Sequence, residues 1–302
     1  MYHGIINVYK EAGFTSHDVV AKLRGICKQK KIGHTGTLDP DAVGVLPVCL
    51  GNGTRLCDML TDRSKEYIAC LRLGIVTDTQ DISGKILEEK AVGASPEEVA
   101  RAAEGFVGEI LQTPPMYSAL KVNGKKLCDL ARKGQEVARA ARPVTIFSLE
   151  IQKEEHPEYT IKVACSKGTY IRTLCHDIGQ VLGCGGVMKS LTRTRVGEFT
   201  IENALALKEL QRLSDENALT GAVVPVEHMF RQFPVVKVKE SALRLLKNGN
   251  PLRVEDIVPV TGGFSQGQQF RVYGQEGIFY GVYCYQAGQG LLCPVKMFLP
   301  EA

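Results

Sequence analysis

The stretch Gly33-His34-Thr35-Gly36-Thr37-Leu38-Asp39-Pro40-Asp41, running on to Gly44-Val45-Leu46-Pro47, constrains this chain more than any other segment. Its three glycines and Pro40 exclude a helix and impose a tight, irregular backbone around Asp39. Glycine also lets another molecule's backbone approach closely. An isolated Leu-Asp-Pro is explained by Asp39 bonding its own backbone in a turn.

At 302 residues the chain is long enough for one large domain or two ordinary ones, with a substantial core. The formal charge of +4 does not mark a polyanion binder, but its distribution is uneven. Lys22, Arg24, Lys28, Lys30 and Lys31 follow Val19 with no acid before Leu38. Lys121, Lys125, Lys126, Arg132, Lys133, Arg139 and Arg142 form a second basic stretch. Such clusters are ordinarily solvated faces; beside a glycine-rich carboxylate loop they become candidate phosphate contacts. The 10 cysteines contain no Cys-x-x-Cys pair, and several sit among apolar neighbours, as reduced cysteines do. No histidine pair has ligand spacing, so no metal site is expected. The start lacks a leader pattern and no apolar run would span a bilayer, which predicts a cytoplasmic protein with no membrane partner.

Periodicity outlines the elements. Ser16 reads as an N-cap, with Val19, Val20, Leu23, Ile26 and Cys27 on one face of a helix running toward Lys31. Tyr67, Ala69, Leu71 and Leu73 alternate as in a strand. Ser95-Pro96-Glu97-Glu98 is a capping box opening a helix that Gly105 ends. Residues 144–151 and 159–165 read as paired strands, and 170–182 as a helix stopped by Gly183. Beyond Phe230–Pro234 a short helix over 242–247 ends at Asn248-Gly249. Runs at 270–273, 278–285 and 291–298 then suggest a small β-barrel.

These motifs, taken together and in order, resemble the bacterial tRNA pseudouridine-55 synthases, the TruB family. Gly33–Pro47 resembles the family's catalytic segment. Val8-Tyr9-Lys10 with Gly13-Phe14-Thr15-Ser16-His17-Asp18 resembles its first motif, although Tyr9 and Glu11 stand where Asp and Pro are usual. Lys65-Glu66-Tyr67 and Lys167-Gly168-Thr169-Tyr170-Ile171-Arg172 resemble two further motifs, and Gln112–Lys126 an insertion of the stand-alone subfamily. The resemblance implies an α+β fold: a catalytic domain over 1–232 on a mixed, mainly antiparallel sheet with flanking helices, and a PUA-like β-barrel over 233–302 that binds RNA. A thumb-like insertion would occupy about 112–142, with Ala138 and Ala140 replacing a frequent proline and glutamate.

The resemblance also implies the chemistry. Uridine becomes pseudouridine when the N1–C1′ bond breaks, the uracil turns, and C5 joins C1′; the product is an isomer, so no cofactor is expected. Asp39 is assigned as the catalytic carboxylate, attacking or removing a sugar proton. Arg172 would pair with it and keep it ionised in a dry pocket, and Tyr67 would stack on the base and is a candidate for the C5 proton transfer. Tyr170 and Leu191 would line the pocket, His34 would help flip the nucleotide, and Lys10 and Lys121 would contact substrate. The implied partner is the T stem-loop of tRNA, bound by a monomer without guide RNA.

Other readings exist for the same residues. A non-catalytic RNA-binding or RNA-folding protein would use the same basic surface, and would not need Asp39, Tyr67 and Arg172 together. A nucleotide-binding enzyme fails because no P-loop and no dinucleotide fingerprint follows a strand. A guide-RNA-dependent synthase is disfavoured by the insertion.

Overall fold

A computed structural model describes residues 1–122, 124–260 and 262–299, so position 123 of the expected insertion and positions 261 and 300–302 of the expected C-terminal unit lie outside the described residues. Ten strands build the main sheet, whose path runs Leu205–Ala206, Gly4–Lys10, Val43–Leu50, Gly186–Val196, Lys65–Leu73, Glu158–Cys165, Arg142–Glu155 and Gly108–Gln112. Ile32–His34 and Phe199–Thr200 attach beside this path. Two pairings on the path are parallel, Gly4–Lys10 with Leu205–Ala206 and Val43–Leu50 with Gly186–Val196; its remaining pairings are antiparallel. The sheet is therefore mixed and mainly antiparallel, as the resemblance implies.

Lys65–Leu73 shows why such a sheet has one dry face. Its odd-numbered residues, Tyr67, Ala69, Leu71 and Leu73 among them, are buried, while the residues between are half-exposed. The buried face packs against helices Pro96–Glu104 and Ile171–Val181 through Val99, Leu174, Cys175 and Ile178. The half-exposed face carries ion pairs instead: Glu66 with Lys162 and Arg195, and Glu158 with Arg72 and Lys189. Helices Ser16–Ile26 and Leu207–Asp215 cover the other end, against Ile6, Val8, Leu46 and Val48. Gly179 permits close contact of the Ile171–Val181 helix with the following turn, since a Cβ there would stand 2.1 Å from the Gly186 nitrogen.

The first helix departs from expectation at both ends. Thr15, not Ser16, is the N-cap: its hydroxyl accepts from Asp18 N at 3.1 Å, and the Asp18 carboxylate accepts from Thr15 N at 2.8 Å. The helix stops at Ile26, short of Lys31, because Lys28 turns the chain with φ 51°. Ser16 is thereby freed for a tertiary bond described below. The capping box at Ser95, the strands over 142–155 and 158–165, and the helix ending before Gly183 agree with the sequence reading.

Within the 112–142 segment, Met116, Leu127 and Leu130 form a small core of their own beneath a hairpin of Lys121–Val122 and Lys125–Lys126. The C-terminal strands order as Val235–Lys237, Gln269–Tyr273, Phe279–Gln286, Leu291–Met297 and Leu252–Arg253. This five-stranded sheet curls into a half-barrel around Val236, Phe270, Val272, Tyr283 and Leu292, consistent with a PUA-like unit. Phe279, Val282 and Phe298 pack instead with Phe230, Ile5 and Val45 of the larger unit. Asn52 Nδ2 and an Arg55 terminal nitrogen donate across the same seam, to the carbonyls of Phe298 (3.1 Å) and Met297 (2.8 Å).

Candidate active site

The loop between Ile32–His34 and Val43–Leu50 carries Asp39, and it is held from several directions. Ser16 Oγ accepts from Leu38 N at 2.9 Å, tying the loop to the first helix. Gly13 N donates to Pro40 O at 3.0 Å, and Thr35 Oγ1 to Pro47 O at 3.0 Å. Lys10 is fully buried, and its Nζ donates to the carbonyls of Pro40 (2.9 Å), Glu11 (3.1 Å) and Ala42. Gly44 is needed where the loop rejoins the sheet: its φ is +106°, and a Cβ would stand 2.2 Å from the Arg193 carbonyl oxygen.

Arg172, in the first turn of the Ile171–Val181 helix, grips this loop. Its Nε lies 3.0 Å from Asp39 Oδ2 and one terminal nitrogen 3.3 Å from Oδ1, a forked pair. The same guanidinium donates to Tyr117 O at 2.8 Å and Thr79 O at 3.2 Å, and stands 3.6 Å from Asp81 Oδ2. Thus Arg172 joins the catalytic-type loop, the 77–83 turn and the 112–142 segment. The Arg172 side chain is 6% exposed, whereas Asp39 keeps 40% of its side-chain surface open. Asp39 is the member of the pair that a substrate could reach.

Arg172 opposes, but does not cancel, the effect of burial on Asp39, whose carboxyl lies above its ordinary range. Burial raises its affinity for a proton, Asp81 and Asp41 add to this, and Arg172 and Lys10 oppose them. The result is a carboxyl displaced upward, closer to what a group that exchanges protons requires. Lys10 shows the converse effect. Burial pulls its ammonium down to about 8, despite the attraction of Asp39 and Asp41.

Tyr67 and Leu191 are buried on adjacent strands and share one apolar cluster with Leu38 and Ala42 of the loop. Tyr170 is half-buried, and its backbone is clamped on both sides by the Gln112 amide: Tyr170 N to Oε1 at 2.7 Å, and Nε2 to Tyr170 O at 3.1 Å. His34 is half-buried and meets His17 edge-on at 5.1 Å; burial makes it harder to protonate. Asp39, Arg172, Tyr67, Leu191 and Tyr170 are thus assembled around one locus. Two expected substrate contacts stand apart. Lys10 is wholly committed to loop carbonyls, so its ammonium supports the loop and does not face a substrate. Lys121 is exposed on the hairpin opposite Lys126, with no hydrogen bond or ion pair to the Asp39 cluster among the described residues.

Several participants escape sequence reading. Asp81 sits in a polar turn, where its carboxylate accepts from Thr79 Oγ1 at 2.8 Å and Ser83 Oγ at 2.6 Å. The only hint was the density of turn-forming residues from Asp78 to Gly84. Arg193 is 1% exposed; its Nε donates to Val45 O at 2.7 Å and a terminal nitrogen to Gly36 O at 3.4 Å. Gln112 opens a recognised motif, but its clamp on Tyr170 left no local signal, because that partner is backbone 58 residues away.

Comparison with known proteins gives the chain a family. Residues 24–171 match the N-terminal domain model of the TruB family of pseudouridylate synthases, and 172–231 match the tRNA pseudouridylate synthase B C-terminal domain. A tRNA pseudouridine synthase B of Lachnoclostridium phytofermentans is 50% identical over 98% of this chain and 100% of its own length. One of Alkaliphilus oremlandii is 49% identical over 82% of each. Among solved structures, an H/ACA RNP bound to a substrate RNA containing 2′-deoxyuridine superposes with TM-score 0.70 and 27% identity, over 99% of this chain and 86% of that one. A Cbf5-Nop10-Gar1 complex gives 0.71 and 28%, over 99% and 85%. Family models that together match residues 24–231, and a relative 50% identical over 98% of the chain, show that this chain belongs to the TruB family of pseudouridylate synthases.

Proposed function

We propose that this chain isomerises the T-loop uridine of tRNA to pseudouridine, acting alone as a cytoplasmic monomer without guide RNA or cofactor. The observation that carries the reading is the forked Asp39–Arg172 pair opening beside buried Tyr67 and Leu191. The names of the relatives supply the RNA class. The reaction balances internally: the N1–C1′ bond breaks, C5 bonds to C1′, the C5 proton leaves, and N1 takes one up. Asp39 serves as nucleophile or sugar-proton base, and Arg172 orients it. The target nucleotide swings out of its stack, aided by His34, and recovers the lost stacking on Tyr67 above Leu191, with Tyr170 at the pocket edge.

Residues 1–232 form the catalytic domain in this reading, 112–142 its thumb, and 233–302 the PUA-like RNA-binding domain. Lys121 and its basic neighbours contact phosphates through the thumb, where counterion release favours binding. Lys10 acts indirectly, by holding the catalytic loop.

The test is tritium release from unmodified tRNA labelled at uridine C5, with no ATP or cofactor. Wild type should release tritium from one T-loop uridine, and Asp39→Asn should release none while binding tRNA within about threefold of wild type, since the lost group acts on the bond and not on the stem. Tight binding without release by wild type would instead favour an RNA-binding or RNA-folding protein.

A further inference from the structure

Gln112 is a buried polar side chain whose partner lies far along the chain. It ends the strand Gly108–Gln112, last on the path of the main sheet, and is 2% exposed. Both ends of its amide go to the backbone of one residue: Oε1 accepts from Tyr170 N at 2.7 Å, and Nε2 donates to Tyr170 O at 3.1 Å. Tyr170 is the N-cap of the Ile171–Val181 helix, and its own side chain caps nothing. The helices Ser16–Ile26 and Pro96–Glu104 begin differently. Each has a hydroxyl at the N-cap and a carboxylate at the third helical position, closing a capping box.

The difference arises because both capping positions of this helix are otherwise engaged. Tyr170 stands at the N-cap, where a serine or aspartate would serve the helix better. Thr173, at the third helical position, donates its hydroxyl to Gln80 Oε1 at 2.7 Å instead of reaching back to the N-cap. The Tyr170 N–H, one of the donors that a helix start leaves unpaired, is met by Gln112. Arg172 lies in the same first turn. A second tie runs the opposite way: the Arg172 guanidinium donates to Tyr117 O at 2.8 Å, further along the segment that Gln112 opens. That segment therefore holds the helix start through a side chain and is held by it through its backbone.

A helix start whose N-cap is pinned from outside shifts when the pin is lost, and a shift of the first turn carries Arg172 with it. Arg172 meets Asp39 through a fork, Nε to Oδ2 at 3.0 Å and a terminal nitrogen to Oδ1 at 3.3 Å, and a fork tolerates little rotation. We propose that Gln112 is a positioning residue for uridine isomerisation: by clamping the Tyr170 backbone it fixes the first turn of the helix so that Arg172 meets Asp39 with both nitrogens. The inference rests on the pseudouridine synthase reading and adds to it a residue that acts through the arginine and not on the substrate. A hydrophobe would fill the same buried space, but would withdraw the acceptor of the Tyr170 N–H.

The experiment is single-turnover pseudouridine formation at saturating tRNA by wild type, Gln112→Met, Gln112→Asn, Arg172→Lys and the Gln112→Met/Arg172→Lys double variant. Rates are followed across the acid limb, with tRNA affinity and thermal melting in parallel. Gln112→Met keeps the shape and loses both bonds. It should bind tRNA within about threefold of wild type yet slow by at least about 10-fold, since small misplacements of a catalytic group cost up to about 100-fold. Its acid limb should move to higher pH. Arg172 and Lys10 favour the charged Asp39 carboxylate, Asp81 and Asp41 oppose it, and the phenols of Tyr67 and Tyr170 stay neutral there, so loosening Arg172 alone raises the proton affinity of Asp39. In the Arg172→Lys background, where the fork is already lost, Gln112→Met should cost less than about threefold more. The proposal is overturned if Gln112→Met keeps a rate within about threefold of wild type, if its acid limb does not rise, or if its loss is undiminished beside Arg172→Lys. Lost tRNA affinity with an intact saturated rate would also overturn it, and would make Gln112 an anchor of the insertion only. Should Gln112→Met fail to fold, Gln112→Asn decides: its amide is a methylene too short to span both Tyr170 groups, and an unchanged rate there would refute the positioning role. A wild type that forms no pseudouridine at all would remove the enzymatic reading itself, a result distinct from any of these.

Discussion

Replacing Arg172 by lysine preserves the charge and removes the geometry. The guanidinium now makes two contacts with the Asp39 carboxylate, at 3.0 and 3.3 Å, while also donating to Tyr117 O and Thr79 O. A lysine ammonium is a single point at the end of a longer flexible stem and cannot span both carboxylate oxygens and both carbonyls. At least two hydrogen bonds from a charged donor are lost, each worth about 1.5–3 kcal/mol. Because Asp39 is 40% exposed, water recovers part of this, and the lower end applies: about 3 kcal/mol. At 1.4 kcal/mol per tenfold, single-turnover tritium release by Arg172→Lys should fall by about 100-fold. Binding of tRNA should change little, since Arg172 is buried. Denaturant unfolding separates lost alignment from lost folding. A variant that folds and releases tritium within about threefold of wild type would show that a point charge suffices and that the forked geometry is incidental.

Lys10→Met should lower stability by about 1 kcal/mol at neutral pH, as the Ala42 carbonyl loses its buried donor and the relieved ammonium desolvation offsets part of the loss. The pH dependence has a definite sign. Folded Lys10 titrates near 8 and the unfolded side chain near 10.5, so the unfolded state binds more protons between them and wild-type stability gains with rising pH. Urea midpoints of wild type and Lys10→Met should therefore separate further from pH 8 to pH 10; parallel curves would remove Lys10 from that titration. Asp41 lifts the Asp39 carboxyl, so Asp41→Asn should move the acid limb of the single-turnover rate to lower pH, and an upward move would contradict the electrostatic account. Gly44→Ala should destabilise by about 3 kcal/mol or more in urea unfolding, since φ +106° and an obstructed Cβ act together; a near-wild-type midpoint would refute the close approach to Arg193.

The amino-acid sequence determined what local chemistry can determine. The alternation at 67–73 specified a one-faced strand, the Ser95 capping box specified a helix start, and the glycine-rich run specified an irregular loop at Asp39. Ordered motifs then identified Asp39, Tyr67 and Arg172. Where two local signals competed, sequence misplaced the detail: Thr15 and Ser16 both suit an N-cap, and only the Leu38 amide waiting 22 residues away decides which hydroxyl is free. The tertiary structure alone revealed the partners of buried cations. Lys10, a substrate contact by resemblance, is turned inward onto Pro40 and Ala42 by strand pairing, and Arg193 carries no local signal of its place opposite Tyr67. Asp81 joins Arg172 from 91 positions earlier in the chain, through a turn whose sequence encodes only its own bend. Propensity and periodicity act over a few residues. The partners of a buried charge are chosen by sheet register, which brings together groups far apart in the chain and leaves no trace in the neighbours of either.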